Sequence, residues 1–310
     1  MPLDPEIEAT FFAETLDDAP AFALGVTESR ASEYEFIELC GPAEPVASVV
    51  DRSVPVAGGE IGVRVYTPEG TGPFPCLVYF HGGGWVAGDL NTMDRPCRTF
   101  ANGAGCVVVS VDYRCAPEHR FPTAADDSFA ATKWVAANAA ELGIDPSRIA
   151  LGGDSAGGNL TAVVSLMARD LGGPAIAFQL IIYPVIDFSF DTPSYRELAD
   201  GYGLTQPMMA WFWEQYLADP ADGANPYASP IRAASLAGLP PAAVFVAGYD
   251  PLRDEGIAYA DALRAAGVPV TSVCLDTMVH GYLQMGGVSA GARRAVADTV
   301  AALREGLGSG

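Results

Sequence analysis

Residues 148–169 read RIALGGDSAGGNLTAVVSLMAR, and this stretch decides the fold. It begins as a short apolar strand, passes through the pentapeptide GDSAG (153–157), and continues with an apolar pattern typical of a helix. A strand–turn–helix of this kind exposes the central serine on a sharp turn, and small neighbours leave room for its strained backbone. The start of the helix also favours negative charge that develops beside Ser155. The stretch therefore predicts a nucleophilic serine at the end of a buried strand.

Other strands on both sides of this stretch are apolar throughout and alternate with helical segments. Fully apolar strands are typical of a parallel sheet that helices cover on both faces. Two alternating runs meet at Gly58 and Gly59, which predicts a hairpin at the start of the sheet. The predicted strands are 47–56, 61–66, 76–80, 106–111, 149–151, 178–183, 243–247 and 270–275, and the predicted helices are 124–140, 156–169 and 254–266. The sequence therefore predicts an α/β fold with a mostly parallel sheet.

One interval breaks this alternation, because residues 186–235 are too many for a connection between neighbouring strands. The interval also holds a dense patch of aromatic residues. We expect it to form a helical cap, and we expect residues 1–45, which favour short helices, to pack with it. The alternative is that the aromatic residues bury a crossover helix in the core. With the expected cap, the catalytic domain comprises residues 46–185 and 236–310.

A glycine-rich motif, HGGGW (81–85), directly follows the apolar strand PCLVYF. Consecutive glycines cost backbone entropy, and they suit a loop whose amides must approach a ligand closely. An oxyanion hole has this need, because acyl transfer places a full charge on one oxygen. We predict that the amides of Gly82, Gly83 and Ala156 bind this oxygen, and that His81 has a structural role in the loop. The alternative is a plain glycine turn.

A serine nucleophile needs a base and an acid that orients the base. In the α/β-hydrolase fold, where such a serine motif occurs, the chain order is Ser, acid, His. Of the three histidines, at 81, 119 and 280, only His280 follows Ser155. Asp250 ends the apolar run AAVFVAGYD and is the predicted acid. The alternative acids are Asp254, Glu255 and Asp276.

Composition argues against several classes of partner. The formal net charge of −21 repels nucleic acids and anionic lipid surfaces. This acidity is expected to keep the surface soluble, with salt adaptation as the alternative. Six cysteines without C-x-x-C spacing and only three histidines predict no metal site and reduced thiols. We find no secretory leader and no run of about 18 apolar residues, so we expect a cytoplasmic protein without membrane insertion.

Five motifs in one order carry a resemblance to a known family. They are HGGGW (81–85), DYRCAPEHRFP (112–122), GDSAGGN (153–159), DPLRDEG (250–256) and HGY (280–282). From about residue 55 to 285 the chain resembles the hormone-sensitive lipase-like esterases, or bacterial family IV. The resemblance implies an α/β-hydrolase fold with eight strands and a cap, often as a homodimer. It also implies hydrolysis of short- to medium-chain acyl esters through an acyl-enzyme, without a cofactor.

The substrate pocket is less well specified by these patterns. The family commonly has Tyr and Gly shortly before the histidine, where this chain has Asp-Thr-Met-Val at 276–279. The predicted pocket residues are Trp85, Met208, Trp211 and Met278. An amidase or lactonase with the same triad is an alternative function. A non-catalytic receptor is another, because the plant gibberellin receptors resemble this family but lack the histidine that His280 supplies here.

Overall fold

Eight strands form one sheet in this computed structural model, which describes residues 1–11 and 25–308. The order across the sheet is β1-β2-β4-β3-β5-β6-β7-β8. The strands are β1 (Ser48–Val56), β2 (Gly59–Thr67), β3 (Phe74–Phe80), β4 (Val107–Asp112), β5 (Ile144–Asp154), β6 (Phe178–Ile182), β7 (Ala242–Tyr249) and β8 (Val270–Val279). Strand β2 runs antiparallel to both of its neighbours, and all other pairs are parallel. The predicted mostly parallel sheet and the hairpin between β1 and β2 are confirmed.

Helices cover both faces of this sheet, as the apolar strands predicted. Within the described ranges the α-helices are α1 (Pro5–Phe11), α2 (Val26–Ser32), α3 (Glu35–Leu39), α4 (Asp94–Ala104), α5 (Thr123–Ala137), α6 (Ala139–Leu142), α7 (Ala156–Asp170), α8 (Pro193–Glu197), α9 (Gln206–Tyr216), α10 (Arg253–Ala265) and α11 (Ala290–Gly306). Short 3₁₀ turns lie at Pro220–Ala224, Pro230–Arg232 and Tyr282–Gln284. Among the described residues, no helix is long and apolar enough to cross a bilayer.

Strand β3 shows how the sheet separates two cores. Its residues Cys76, Val78 and Phe80 join one buried cluster, whereas Leu77 and Tyr79 join another. Side chains alternate between the two faces of a strand, so an all-apolar strand fills both clusters. Helices α5 and α7 contribute to the first cluster, and α4 and α11 to the second. The sheet is therefore covered on both sides.

The element boundaries differ from the predictions where polar residues occur inside an element. Strand β5 spans Ile144–Asp154, although only 149–151 is predicted, because its first half carries exposed residues on the sheet rim. The predicted helix 124–140 is split at Asn138, whose side-chain amide donates to the carbonyl of Trp134. Competing side-chain bonds of this type are a common cause of helix ends.

The first described residues are anchored on the sheet domain. The Asp4 amide donates to the carbonyl of Thr277 at 3.0 Å, and the Ser289 hydroxyl donates to the Asp4 carboxylate at 3.1 Å. Ile7 in α1 is fully buried in the second core cluster. Residues 1–11 therefore lie against β8 and α11. We expect residues 1–45 to pack with the insertion. Residues 12–24 of this segment lie outside the described ranges.

The insertion 186–235 contains α8, α9 and two of the 3₁₀ turns. Thr205 caps the start of α9, because its hydroxyl accepts the amide of Met208 at 3.2 Å. Its side chains Phe212, Trp213 and Tyr216 are buried in the first core cluster. The aromatic patch therefore packs the insertion onto the top of the sheet, beside the loop that follows β3.

Candidate active site

Ser155 lies on a sharp turn between β5 and α7. Its backbone has φ 55° and ψ −119°, a conformation that L-residues rarely adopt and that costs about 1–3 kcal/mol. The surrounding glycines make the turn possible. A Cβ on Gly153 would lie 2.3 Å from the carbonyl oxygen of Gly157, and a Cβ on Gly157 would lie 1.9 Å from that of Phe80. The turn therefore has the geometry that the motif predicted.

Three side chains from three strand ends meet at this turn. The Ser155 hydroxyl lies 3.0 Å from His280 Nε2, and His280 Nδ1 lies 2.7 Å from Asp250 Oδ2. Ser155 follows β5, Asp250 follows β7, and His280 follows β8. The carboxyl ends of parallel strands share one edge of the sheet, which brings together residues that are far apart in the chain.

The surroundings of Asp250 decide the tautomer of the histidine. Asp250 is fully buried, and its second oxygen accepts the amide of Leu252 at 2.8 Å. A carboxylate can only accept, so His280 Nδ1 carries the proton and donates it to Asp250. The lone pair of Nε2 then points at the Ser155 hydroxyl, which donates to it. The predicted acid is thus the one beside His280.

The glycine loop follows β3 and approaches the same edge of the sheet. Gly83 has φ 98°, and its carbonyl accepts the amides of Val86 and Ala87. Within the described part of the chain, no hydrogen bond engages the amides of Gly83, Gly84 or Ala156. These three N–H groups are available to a ligand oxygen.

The expected role of Gly82 as an oxyanion donor is not supported. Its amide donates to Asp154 Oδ1 at 3.0 Å, so this hydrogen is already used. The reason is a contact across 72 residues of chain, which local glycine patterns do not reveal. The free amide of Gly84 lies two residues further on and is available in its place.

Comparisons with known proteins agree with this arrangement. A family model described as an α/β-hydrolase fold matches residues 77–284. The chain is 46% identical to carboxylesterase NlhH of Mycobacterium tuberculosis, covering 94% of each chain. It is 36% identical to ethyl acetate hydrolase of Pseudomonas putida, covering 93% of this chain and 92% of that protein. The crystal structure of a thermostable esterase from P. putida superposes with a TM-score of 0.94 at 40% identity, over 99% and 98% of the two chains.

The chain belongs to the hormone-sensitive lipase-like carboxylesterases of the α/β-hydrolase fold. The resemblance drawn from its motifs is confirmed. The protein is a carboxylic ester hydrolase that acts on a small ester.

Asp154 is a residue of this esterase that the sequence analysis missed. Its carboxylate is buried and accepts the Tyr79 hydroxyl at 2.7 Å as well as the Gly82 amide. Burial raises the pKa of Asp154, while the Tyr79 hydrogen bond and His280 lower it. The sequence feature that could have pointed to Asp154 is its position directly before the serine, at the end of a buried strand. The carboxylate links the glycine loop to the turn that carries Ser155.

His81 has the structural position that the sequence analysis proposed. Its Nδ1–H donates to the carbonyl of Gly82 at 2.8 Å, and its ring stacks on Tyr113 with centroids 4.1 Å apart. Burial lowers the pKa of His81 to about 4, so the ring is neutral at pH 7. The Tyr113 hydroxyl in turn donates to the His81 carbonyl at 2.8 Å. The ring is a rigid support beneath the loop.

Two of the four predicted pocket residues have no surface to offer a substrate in this structure. Trp85 is fully buried and stacks on Tyr216 with ring centroids 4.1 Å apart. Met278 is buried on the other face of the sheet, where its Cε lies 3.0 Å from the position of a Cβ on Gly291. It packs against the start of α11, although it precedes His280 by only two residues. Met208 and Trp211 on α9 are partly buried and pack at the border of the first core cluster.

Proposed function

We propose that this esterase hydrolyses short- to medium-chain, uncharged acyl esters through an acyl-enzyme on Ser155. The observation that carries the proposal is the chain of hydrogen bonds from the Ser155 hydroxyl through His280 to Asp250. A serine activated by an adjacent, oriented imidazole is the common arrangement of nucleophilic acyl transfer.

The reaction proceeds in two halves. His280 Nε2 takes the Ser155 proton as the oxygen attacks the ester carbonyl, and the amides of Gly83, Gly84 and Ala156 bind the oxyanion. His280 then gives this proton to the leaving alcohol. Water attacks the acyl-enzyme with His280 as base, and the acid product leaves. Asp250 stays ionised and stabilises the imidazolium in both halves.

One comparison supports a small acyl group. The related P. putida protein is named for ethyl acetate, an ester with a two-carbon acyl group.

We further propose that residues 186–235, together with part of the N-terminal segment, act as a cap over this edge of the sheet. Phe212 of α9 packs directly on Gly84, because a Cβ there would lie 2.2 Å from the ring. The Arg120 guanidinium donates to the Leu217 carbonyl at 2.7 Å, which ties the end of α9 to the sheet domain. The insertion would thereby position the glycine loop as well as wall the substrate cavity.

The test is hydrolysis of 4-nitrophenyl esters from acetate to palmitate by the wild type, Ser155→Ala and His280→Ala. We expect the wild type to prefer short chains, and we expect both variants to lose at least about 10³-fold in kcat. His119→Ala is the matched control, because the His119 side chain is exposed, whereas His280 is bonded to both Ser155 and Asp250. Full activity of His280→Ala would refute the triad, and a preference for palmitate would refute the proposed acyl range.

A further inference from the structure

Helix α8 of the insertion contacts the loop that connects Asp250 to α10. Ser194, near the start of α8, is fully buried at this contact. Its amide donates to the Asp254 carboxylate at 2.8 Å, and its hydroxyl accepts the amide of Asp254 at 3.2 Å. The insertion is therefore hydrogen-bonded to the segment that directly follows Asp250.

The Ser194 hydroxyl has one hydrogen, and its neighbours decide where that hydrogen points. The oxygen lies 2.7 Å from the Pro251 carbonyl and 3.1 Å from the Thr192 hydroxyl. A carbonyl can only accept, so Ser194 donates to Pro251 and the Thr192 hydroxyl donates to Ser194. With the Asp254 amide as a second donor, the hydroxyl makes all of the hydrogen bonds that it can make.

The Pro251 carbonyl belongs to the same peptide unit as the Leu252 amide. This amide donates to Asp250 Oδ1 at 2.8 Å. A peptide unit is planar and rigid, so a bond at its carbonyl helps to fix the direction of the N–H on its other side. A hydrogen bond to the carbonyl also polarises the unit and strengthens its N–H as a donor. Ser194 therefore holds one side of the plane, and the other side holds the Asp250 carboxylate.

These bonds extend the triad into one chain that begins in the insertion. The chain runs from Ser194 through the peptide unit of 251–252 to Asp250. It continues from Asp250 through His280 to the Ser155 hydroxyl. Ser194 and Asp250 are both fully buried. Removal of one buried partner leaves the other polar group unsatisfied, so the loss of the Ser194 hydroxyl disturbs the peptide unit that holds Asp250.

A second hydrogen bond ties the insertion to the same part of the sheet domain. The amide of Ile186, the first residue of the insertion, donates to the buried carboxyl of Glu255 at 2.7 Å. Glu255 lies in the first turn of α10. The start of the insertion and α8 are therefore both anchored on residues 250–255.

We propose that Ser194 is a positioning residue through which the insertion sets the direction of the Asp250 carboxylate. The sheet brings Asp250 to the edge where the triad forms, and Ser194 fixes the peptide unit that aligns its carboxylate with His280. The inference rests on the proposed function, because it concerns the triad of that function. Its consequence is that loss of the Ser194 hydroxyl lowers turnover and leaves substrate binding unchanged.

Hydrolysis of 4-nitrophenyl butyrate by Ser194→Ala tests this proposal. We expect kcat to fall about tenfold, the rate equivalent of one neutral hydrogen bond, and KM to stay within about twofold of the wild type. Both constants are measured by steady-state kinetics, and thermal unfolding of the same samples gives Tm.

Ser229→Ala is the matched control. Ser229 is also a fully buried serine of the insertion, but its hydroxyl accepts the Phe188 amide at 2.9 Å and donates to the Gly223 carbonyl at 2.8 Å. These bonds stay within the insertion. The two variants should therefore lower Tm by similar amounts, whereas kcat of Ser229→Ala should stay within about twofold of the wild type.

A double-mutant cycle distinguishes positioning of Asp250 from a general structural effect. If Ser194 acts through Asp250, then Ser194→Ala should change kcat of the Asp250→Asn variant by less than about twofold. A structural effect that does not act through Asp250 would lower kcat by the same factor in both backgrounds.

Each outcome supports or overturns the proposal. An unchanged kcat in Ser194→Ala, an equal fall in Ser229→Ala, or an equal fall in both backgrounds of the cycle would overturn it. Where Ser194→Ala does not fold, Ser194→Cys takes its place, because a thiol fills the site but is a weak donor. Its kcat should fall in the same direction, and only in the presence of Asp250. A wild type that hydrolyses no ester would instead refute the proposed function.

Discussion

The two halves of the active site are held in different ways. Ser155, Asp250 and His280 follow three parallel strands, and the sheet alone brings them to one edge. The glycine loop also follows a strand, but its amides are oriented by residues from outside the sheet. Asp154 holds Gly82, and Phe212 covers Gly84. The comparison teaches that the nucleophile side depends on sheet topology, whereas the oxyanion side depends on long-range packing.

The largest effect is expected from Asp250→Asn, which acts on the sheet-held half alone. The amide would place the wrong tautomer on His280, so kcat should fall by about 10⁴-fold with little change in KM. Steady-state kinetics with 4-nitrophenyl butyrate measure both constants. Asp276→Asn, an exposed acid on β8, is the control and should keep full activity. A small effect of Asp250→Asn would assign the orienting acid elsewhere.

A smaller effect is expected where the two halves are joined, at Asp154. Asp154→Ala removes the acceptor of the Gly82 amide and of the Tyr79 hydroxyl, so the loop loses its anchor. We expect kcat to fall by about 10²-fold, as for the loss of one oxyanion donor, and unfolding to become easier by about 1–3 kcal/mol. Asp154→Asn keeps an acceptor oxygen and should recover part of kcat. Equal losses of kcat in both variants would contradict an anchoring role.

The third prediction separates loop positioning from general stability. Phe212→Ala and Phe178→Ala each remove a buried ring that packs on a glycine, Gly84 in the first case and Gly306 in the second. Both should lower the free energy of unfolding by about 3–5 kcal/mol. Only Phe212→Ala should also lower kcat, by about tenfold. Denaturant unfolding and kinetics on the same samples compare the two variants. Equal kcat values would contradict a role of α9 in positioning the loop.

The smallest effect is expected in the pH dependence of stability. The pKa of Glu33 is 4.5 unperturbed and about 7 in the folded protein, so the folded state binds the proton more tightly. Stability therefore decreases as pH rises from about 4.5 to about 7 and then levels off. Glutamine cannot ionise, so Glu33→Gln should have a free energy of unfolding about 2 kcal/mol higher than the wild type above pH 7. At about pH 4 the two proteins should be equally stable. Thermal unfolding across this range measures the difference, and a constant difference would contradict burial of the charge.

Much of the nucleophile side could be predicted from local patterns. Elimination and chain order selected His280 and Asp250, and the small residues around Ser155 indicated the sharp turn. The glycine loop was recognised, but Gly82 was counted as a donor because the motif does not show that Asp154 already uses its amide. Trp85 and Met278 were placed near the pocket on sequence proximity, although side-chain direction sends both into the core.

The sequence by itself determined the α/β fold, the strand–turn–helix at Ser155 and the identity of three residues that meet there. These depend on backbone preferences and on alternation along single elements, which are local properties. Only the tertiary structure decided which loop amides are free, that α9 covers the glycine loop, and that Glu33 lies beside Gly82 and Gly83. Those features arise from contacts between segments tens of residues apart, and their energies depend on burial and on neighbours that no local pattern contains.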